Sequence, residues 1–278
     1  LVGTPIGNLE DITYRAVRIL REVDLIAAED TRQTRKLLSA YDISGRLVSH
    51  HEHNSKSSGA ELVRRMQEGE SVALVSDAGL PAISDPGSEL VGMAIDAGIA
   101  VIPIPGANAA LSALIASGLP TESFQFVGFL PRSNKAIRDQ LERLRTVRAT
   151  LLFYESPHRV VKTLEQLHEA WGDRRIVLAR ELTKKFEEFA RGTMTECLDF
   201  LQNNPPLGEY CLVVEGCLEQ EGDSGQWWAE LPLAEHVARL TEQDGIDRKE
   251  AMRRAAKDRG LSRRDVYNQL MTQRPPDR

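Results

Sequence analysis

Apolar runs of strand length punctuate the first hundred residues at Val23 to Ala28, Ser71 to Ser76 and Ile99 to Ile104. Runs without polar alternation suit strands buried on both faces, so they predict a mostly parallel sheet. Between them the spacing becomes helical. Tyr14, Val17 and Leu20 share one helix face, Leu62, Val63 and Met66 another, and Leu90, Ala94 and Ile95 a third. Ala109 to Ser117 reads as a fourth helix, closed by Gly118.

A turn-rich stretch, Gly118-Leu119-Pro120-Thr121, marks the joint to a second lobe. Strands are expected there at Phe126 to Phe129, Thr150 to Tyr154, Ile176 to Ala179 and Tyr210 to Glu215. Helices fit Lys135 to Arg145, Arg159 to Trp171 and Thr195 to Asn203. The polar stretch from Glu219 to Gly225 reads as a linker. Three short helices follow, at Leu233 to Leu240, Arg248 to Lys257 and Arg263 to Leu270. Gly260-Leu261-Ser262 separates the last two, and Ser262 with Asp265 makes a capping-box-like start. A plain helical hairpin and a helix-turn-helix both begin this way. The expected architecture is α/β: two α/β lobes with a cleft between them, plus a small C-terminal helical region. The boundaries fall at residues 1–119, 120–218 and 226–278.

Composition fits a globular chain with a core, at 41% hydrophobic and 27% charged residues. No apolar run reaches the roughly 18 residues of a membrane span, so no membrane partner is expected. Leu1-Val2-Gly3-Thr4-Pro5 lacks the basic and apolar regions of a signal peptide. The chain enters a motif within two residues, and we expect a short piece of the first strand to precede it. Cys197, Cys211 and Cys217 fit neither a disulfide framework nor a zinc site, which suits reduced thiols in the cytoplasm. The net charge of −6 taken alone argues against a nucleic-acid partner. Positive charge nevertheless gathers near the C-terminus, at Arg248, Lys249, Arg253, Arg254, Lys257, Arg259, Arg263 and Arg264. That cluster is either a solvated helical face or a patch for phosphates.

Common catalytic signatures are absent. There is no Gly-x-Gly-x-x-Gly, no Walker loop and no Gly-x-Ser-x-Gly elbow. His50-His51-Glu52-His53 lacks zinc-protease spacing and reads as a solvated loop, so no metal is expected. What remains is a set of loops at strand ends, where open α/β sheets bind ligands. They are Gly3 to Asn8, Glu29-Asp30-Thr31-Arg32, Ser76-Asp77-Ala78-Gly79 running on to Asp85-Pro86-Gly87, and Pro105 to Asn108. Asp77 offers a carboxylate, and the amides opening the helix after Asn108 could donate to ligand oxygens. The second lobe adds Tyr154-Glu155-Ser156-Pro157-His158-Arg159 and Arg180-Glu181-Leu182-Thr183-Lys184. Each loop alone is ordinary turn chemistry. Together they suggest a two-walled cleft, and the residues by themselves name no reaction.

These loops, in this order, resemble the tetrapyrrole methylase-like class of S-adenosylmethionine-dependent methyltransferases. Thr4 to Leu9, Ala28 to Arg32, Ser76 to Gly79, Asp85-Pro86-Gly87, Tyr154 to Arg159, Arg180 to Lys184 and Gly208-Glu209 narrow the resemblance to the ribosomal RNA small subunit methyltransferase I family. It implies S-adenosyl-L-methionine in a cleft between two lobes, a homodimer in the cytoplasm, and methylation of the ribose 2′-oxygen of a cytidine in 16S ribosomal RNA or the small ribosomal subunit. Carried over by position, the cofactor site would comprise Ile6, Asp77, Ala78, Gly79, Leu80, Ala109, Ala110, Tyr154, Glu181, Leu182 and Tyr210. Leu80 and Ala82-Ile83-Ser84 depart from expected variants such as Thr, Leu and Asn, which changes packing around the cofactor and not the reaction. Activating a ribose hydroxyl needs a base, for which Glu29, Asp30, Asp77 and Glu181 are candidates. Arg32, Arg35, Lys36, His158, Arg159 and Lys184, with Arg253, Arg254 and Arg263, are candidates for RNA phosphates. A porphyrin or corrin methyltransferase shares the fold and cofactor. A non-catalytic RNA-binding assembly factor would use the basic helices alone.

Overall fold

The first sheet is small and wholly parallel, and three loops of the cleft leave from it or beside it. The computed structural model describes residues 1–218, 228–229, 231–243 and 245–272. Its first lobe holds α1 (Tyr14–Glu22), β1 (Leu25–Ala28), α2 (Thr31–Ala40), β2 (Leu47–Ser49), α3 (Ser55–Gln67), β3 (Val72–Val75), α4 (Ser88–Asp96) and α5 (Ala109–Ser117). The strands order as β2-β1-β3. Leu1 to Gly3 extends alongside. The amide of Val2 donates to Leu74, and that of Gly3 to Ile104. The expected strand at Ile99 to Ile104 is reduced to one parallel bridge, Val2 with Ile104, because the segment beside it pairs over so short a length.

Two helix faces differ from expectation. Tyr14 opens α1 and is 96% exposed, so the buried face of that helix is Ala16 and Leu20. Ile95 of α4 points outward while Leu90 and Ala94 are buried. The Glu29 to Arg32 segment is only half loop: Asp30 caps α2 by accepting from the amide of Arg32. The histidine segment is not a solvated loop either. His50 is buried, with Nδ1 2.8 Å from Ser58 Oγ, and Glu52–Asn54 is a short 3-10 turn leading into α3.

The second lobe contains β4 (Phe124–Phe129), α6 (Asn134–Leu144), β5 (Thr150–Glu155), α7 (Val160–Trp171), β6 (Arg175–Arg180), β7 (Glu188–Thr193), α8 (Met194–Asn203) and β8 (Tyr210–Val214). Its sheet runs β4-β5-β8-β6-β7. Only β4 and β5 pair in parallel; the other three pairings are antiparallel. One face packs Phe153, Leu164, Leu167 and Trp171 into a large core. On the other face lie Ala110, Ala113 and Leu114 of α5 against Leu152, Val177, Cys211 and Val213. Although α5 precedes the expected joint at Gly118, it packs on the second sheet and ties the lobes together. The sequence from Ala109 to Ser117 is apolar on nearly all sides, but only Ala110, Ala113, Leu114 and Ser117 are buried, while Leu111 and Ile115 stay exposed.

Residues Leu1–Cys217 form one unit, and a second begins at Leu218. The second unit has its own core. Leu233, Val237 and Leu240 of α9 (Leu233–Gln243) meet Ala251 and Ala255 of α10 (Arg248–Asp258) and Val266 of α11 (Arg263–Thr272). Ser262 Oγ accepts from the Asp265 amide at 3.2 Å, the capped start expected for the last helix. His236 stacks on Trp228 at 5.4 Å between ring centres, and Arg259 lies over the same indole. The expected linker at Glu219 to Gly225 lies outside the described residues, as does the side chain of Arg263.

Candidate active site

A cavity of about 400 Å³ opens between the two sheets of the first unit. From the first lobe it is lined by Ile6, Ala78, Gly79, Leu80, Ile83, Ser84 and Asp85. Asn108 and Ala109 contribute from the start of α5. Phe129, Tyr154, Glu155, Glu181, Leu182, Lys184, Glu209 and Tyr210 close it from the second lobe. Its size falls in the range of small-molecule sites, and its wall is mainly apolar with a few polar groups.

Backbone geometry makes room for this space. Gly79 has φ +80°, and its amide and carbonyl pair with Thr4 across the first and third loops. A Cβ there would meet Ile6 at 3.3 Å, so the two loops approach as closely as glycine permits. Ala82 and Ser84 also have positive φ, at 71° and 62°. For residues with a Cβ this is strain, and it turns the segment before Asp85 toward the cavity.

Most of the residues expected at the cofactor site converge on this one space: Ile6, Ala78, Gly79, Leu80, Ala109, Tyr154, Glu181, Leu182 and Tyr210. Asp77 and Ala110 are not part of its lining. Asp77 is turned back toward β1, where its Oδ1 accepts the Asp30 amide at 3.1 Å. Ala110 is buried, and its amide donates to the Tyr154 hydroxyl at 3.2 Å. The Leu111 amide donates to Asn108 Oδ1. Of the amides that open α5, those of Ala110 and Leu111 are thus satisfied by the protein itself, while Ala109 lines the cavity. Asp85 and Glu209 belong to loop motifs singled out in the sequence but are not among the expected site residues, and neither are Ser84 and Phe129, yet all four line the cavity. Asp-Pro-Gly reads as a turn, and nothing in its composition reports that the turn faces a cavity.

The carboxylates differ sharply in their surroundings. Asp30 is held down to about 2 by hydrogen bonds from the Arg32 side chain and amide. Burial acts to raise Glu181, yet the Lys184 ammonium and the Glu209 amide hold it below the usual range. Burial, and then the neighbouring Asp77 charge, push Glu29 up. Asp85 is pushed up to about 6, first by burial and then by Glu29, with the Ser76 hydroxyl opposing and Asp77 adding. Tyr154 rises to about 12, chiefly through burial.

The cations expected to meet phosphates are also sorted. Arg35 and Lys36 are exposed on α2, and His158 is exposed before α7. Arg32 is paired with Asp30 at 2.7 Å. Lys184 lines the cavity between Glu181 and Glu209. Arg159 is partly buried and donates to the carbonyls of Leu130 and Pro131, which gives it a structural post. Arg253 is paired with Glu250, and both Arg253 and Arg254 are exposed on α10. Among the described residues, no cluster of His, Cys, Asp or Glu is placed to hold a metal ion, and no helix is long and apolar enough to cross a membrane.

A two-lobed α/β unit with its cavity at the strand-end loops defines a class, and comparison with known proteins gives that class a name. The family model for Tetrapyrrole (Corrin/Porphyrin) Methylases matches residues 1–198. A solved uroporphyrin-III-C-methyltransferase from Thermus thermophilus shares the fold at TM-score 0.54 and 24% identity, over 76% of this chain and 91% of that one. Diphthine synthase does so at TM-score 0.61 and 18% identity, over 77% and 88%. Among curated relatives, ribosomal RNA small subunit methyltransferase I of Halalkalibacterium halodurans is 55% identical over 96% of this chain and 92% of its own length. The protein of that name from Bacillus subtilis is 51% identical with the same coverage, and the one from Synechocystis 45% identical over 96% and 95%. The chain therefore belongs to the ribosomal RNA small subunit methyltransferase I family, within the tetrapyrrole methylases.

Proposed function

We propose that the protein methylates the ribose 2′-hydroxyl of a cytidine in 16S ribosomal RNA, with S-adenosyl-L-methionine as donor. The observation that carries this reading is the interlobe cavity, built from the same loops that carry the family resemblance. The cofactor, when bound, supplies an electrophilic methyl group on a sulfonium. The cavity suits such a ligand: Gly79 gives close backbone approach, Ile6, Leu80 and Leu182 give an apolar wall, and Tyr154 and Glu181 add polar groups. Methyl transfer is an in-line displacement, so much of the rate comes from holding oxygen and carbon aligned. Closing the cavity from both lobes provides that alignment and excludes water.

The RNA would enter as a splayed nucleotide, since a cleft of this size cannot admit a duplex. Arg35 and Lys36 on α2, with His158, are exposed and available to phosphates. The second unit adds exposed Arg253, Arg254 and Lys257. A homodimer in the cytoplasm belongs to the same reading. Leu111 and Ile115 of α5, 44% and 79% exposed, form an apolar stripe that a second copy could cover.

The test is to incubate unmethylated small subunits with the protein and labelled S-adenosylmethionine, then map the label by nuclease digestion and mass spectrometry. Label on a cytidine ribose supports the reading. Label on a base, or label only on added porphyrin or corrin substrates, would overturn it. Binding of the cofactor without transfer to any substrate would favour an assembly factor.

A further inference from the structure

Four carboxylates line the cavity: Asp85, Glu155, Glu181 and Glu209. Three of them are already engaged. Glu155 lies near Arg159 at 3.6 Å and accepts from the Ser156 amide and the Thr163 hydroxyl. Glu181 and Glu209 share the Lys184 ammonium, at 2.9 and 3.2 Å. Among the described residues, Asp85 is the one cavity carboxylate with no cationic partner within salt-bridge distance. The other first-lobe acids, Glu29, Asp30 and Asp77, do not line the cavity.

We propose that Asp85 is the general base of the methyl transfer, taking the proton of the ribose hydroxyl inside the cavity. The inference rests on the proposed reaction and names a residue for it. As the ribose oxygen forms its bond to the methyl carbon, the carbon–sulfur bond breaks, its electron pair stays on sulfur, and the hydroxyl proton passes to the Asp85 carboxylate. No further reactant is needed.

Position and surroundings support the role together. Asp85 follows the positive-φ residues Ala82 and Ser84 and precedes Gly87, whose φ is +134°. A Cβ on Gly87 would sit 2.7 Å from Leu74, so the loop is seated firmly against β3. The groups that act on Asp85 are Glu29 at the end of β1, and Ser76 and Asp77 at the end of β3. Across the cavity stands the Tyr154 phenol, on which Asp85 acts in turn. Both acidic neighbours and burial make Asp85 a stronger base than an ordinary carboxylate, while leaving it ionised at neutral pH.

The experiment combines single-turnover methyl transfer to small subunits, cofactor calorimetry, and carbon-13 NMR titration of labelled aspartate carboxyls. In Asp85→Asn, transfer should fall by about 100-fold or more while cofactor affinity holds within about threefold. The acid limb of the wild-type rate profile, near the about 6 expected for Asp85, should vanish in that variant. Asp85→Glu should recover part of the rate. Glu29→Gln should move the NMR midpoint of Asp85 downward, because one acidic neighbour is removed. The NMR titration of the wild-type protein stands even where a variant fails to fold. Three results would each overturn the assignment: transfer by Asp85→Asn within about fivefold of wild type, parallel loss of cofactor binding, or an Asp85 midpoint near the ordinary value of about 4. Failure of the wild-type protein to label any ribose would instead overturn the RNA reading, and the base with it.

Discussion

Asp77 Oδ1 accepts the backbone amide of Asp30 at 3.1 Å, and the amide of Asp77 in turn donates to the Glu29 carboxylate. This reciprocal pair latches the end of β1 to the end of β3. It places Asp77 behind the cavity wall, next to Ala78 and Gly79, the latter paired with Thr4. The substitutions Asp77→Asn and Asp77→Ala therefore separate two roles. Asparagine keeps an oxygen for the Asp30 amide, whereas alanine does not. We expect Asp77→Ala to weaken S-adenosylmethionine binding about tenfold, the loss of one hydrogen bond's worth of positioning, and Asp77→Asn to stay near wild type. Equal losses by calorimetry would show that the charge itself meets the cofactor.

Gly208 sets a second constraint on the same cavity. Its φ is +73°, and an added Cβ would lie 2.3 Å from the Glu181 carboxyl. Glu181 could not then keep its bonds to Lys184 and to the Glu209 amide. Gly208→Ala should destabilise the fold by about 1–3 kcal/mol and weaken cofactor binding at the same time. Adding Glu181→Ala removes the clash, so the double variant should melt higher than the single one. Strict additivity of the two melting shifts would show that the residues do not meet.

Much of this architecture could be read from the sequence, and the exceptions share physical causes. The second-lobe strands at Thr150, Ile176 and Tyr210 appear within a residue or two, because strands buried on both faces leave an unmistakable apolar run. The strand Glu188–Thr193 was invisible: it lies at the sheet edge with no residue fully buried, so its polar sequence carries no signal. The helix Thr31–Ala40 escaped for a similar reason, burying only Thr34 and Leu38. Ile99 to Ile104 is apolar enough for a strand, yet strand formation depends on a neighbour as well as on composition. In the cavity, a loop with small residues supplies Gly79 and a strand-end loop of the second lobe supplies Tyr154, both places visible as motifs in the sequence. Asp85 depends on left-handed backbone at Ala82 and Ser84, which no residue preference announces.

Asp85 also makes a prediction about stability. Its folded-state value is raised to about 6, against about 3.9 for an unfolded aspartate. The folded protein therefore holds this proton more tightly than the unfolded chain. The associated stabilisation is fully present below the unfolded value and is lost as pH rises through about 6. Asparagine at this position avoids burying a charge. The melting temperature of Asp85→Asn relative to wild type should accordingly be more favourable at pH 8 than at pH 4, with the change centred between those values. A difference independent of pH would mean that Asp85 is solvated as freely folded as unfolded.

The second unit carries the most direct test of the RNA partner. Arg253, Arg254, Lys257 and Arg264 are exposed on α10 and α11, above a core of their own built from Val237, Ala251, Ala255 and Val266. Surface charge reversal there should leave this core intact. If Lys257 and Arg264 each meet a phosphate, Lys257→Glu and Arg264→Glu should weaken RNA binding across sequences. Each should also reduce the slope of log affinity against log salt by about one. Cofactor binding should not change, because the cavity belongs to the other unit. Filter binding of small-subunit RNA over a salt series reads the slope directly. An unchanged slope in both variants would mean that this basic surface is solvated, and would leave Arg35, Lys36 and His158 of the first unit to supply the grip.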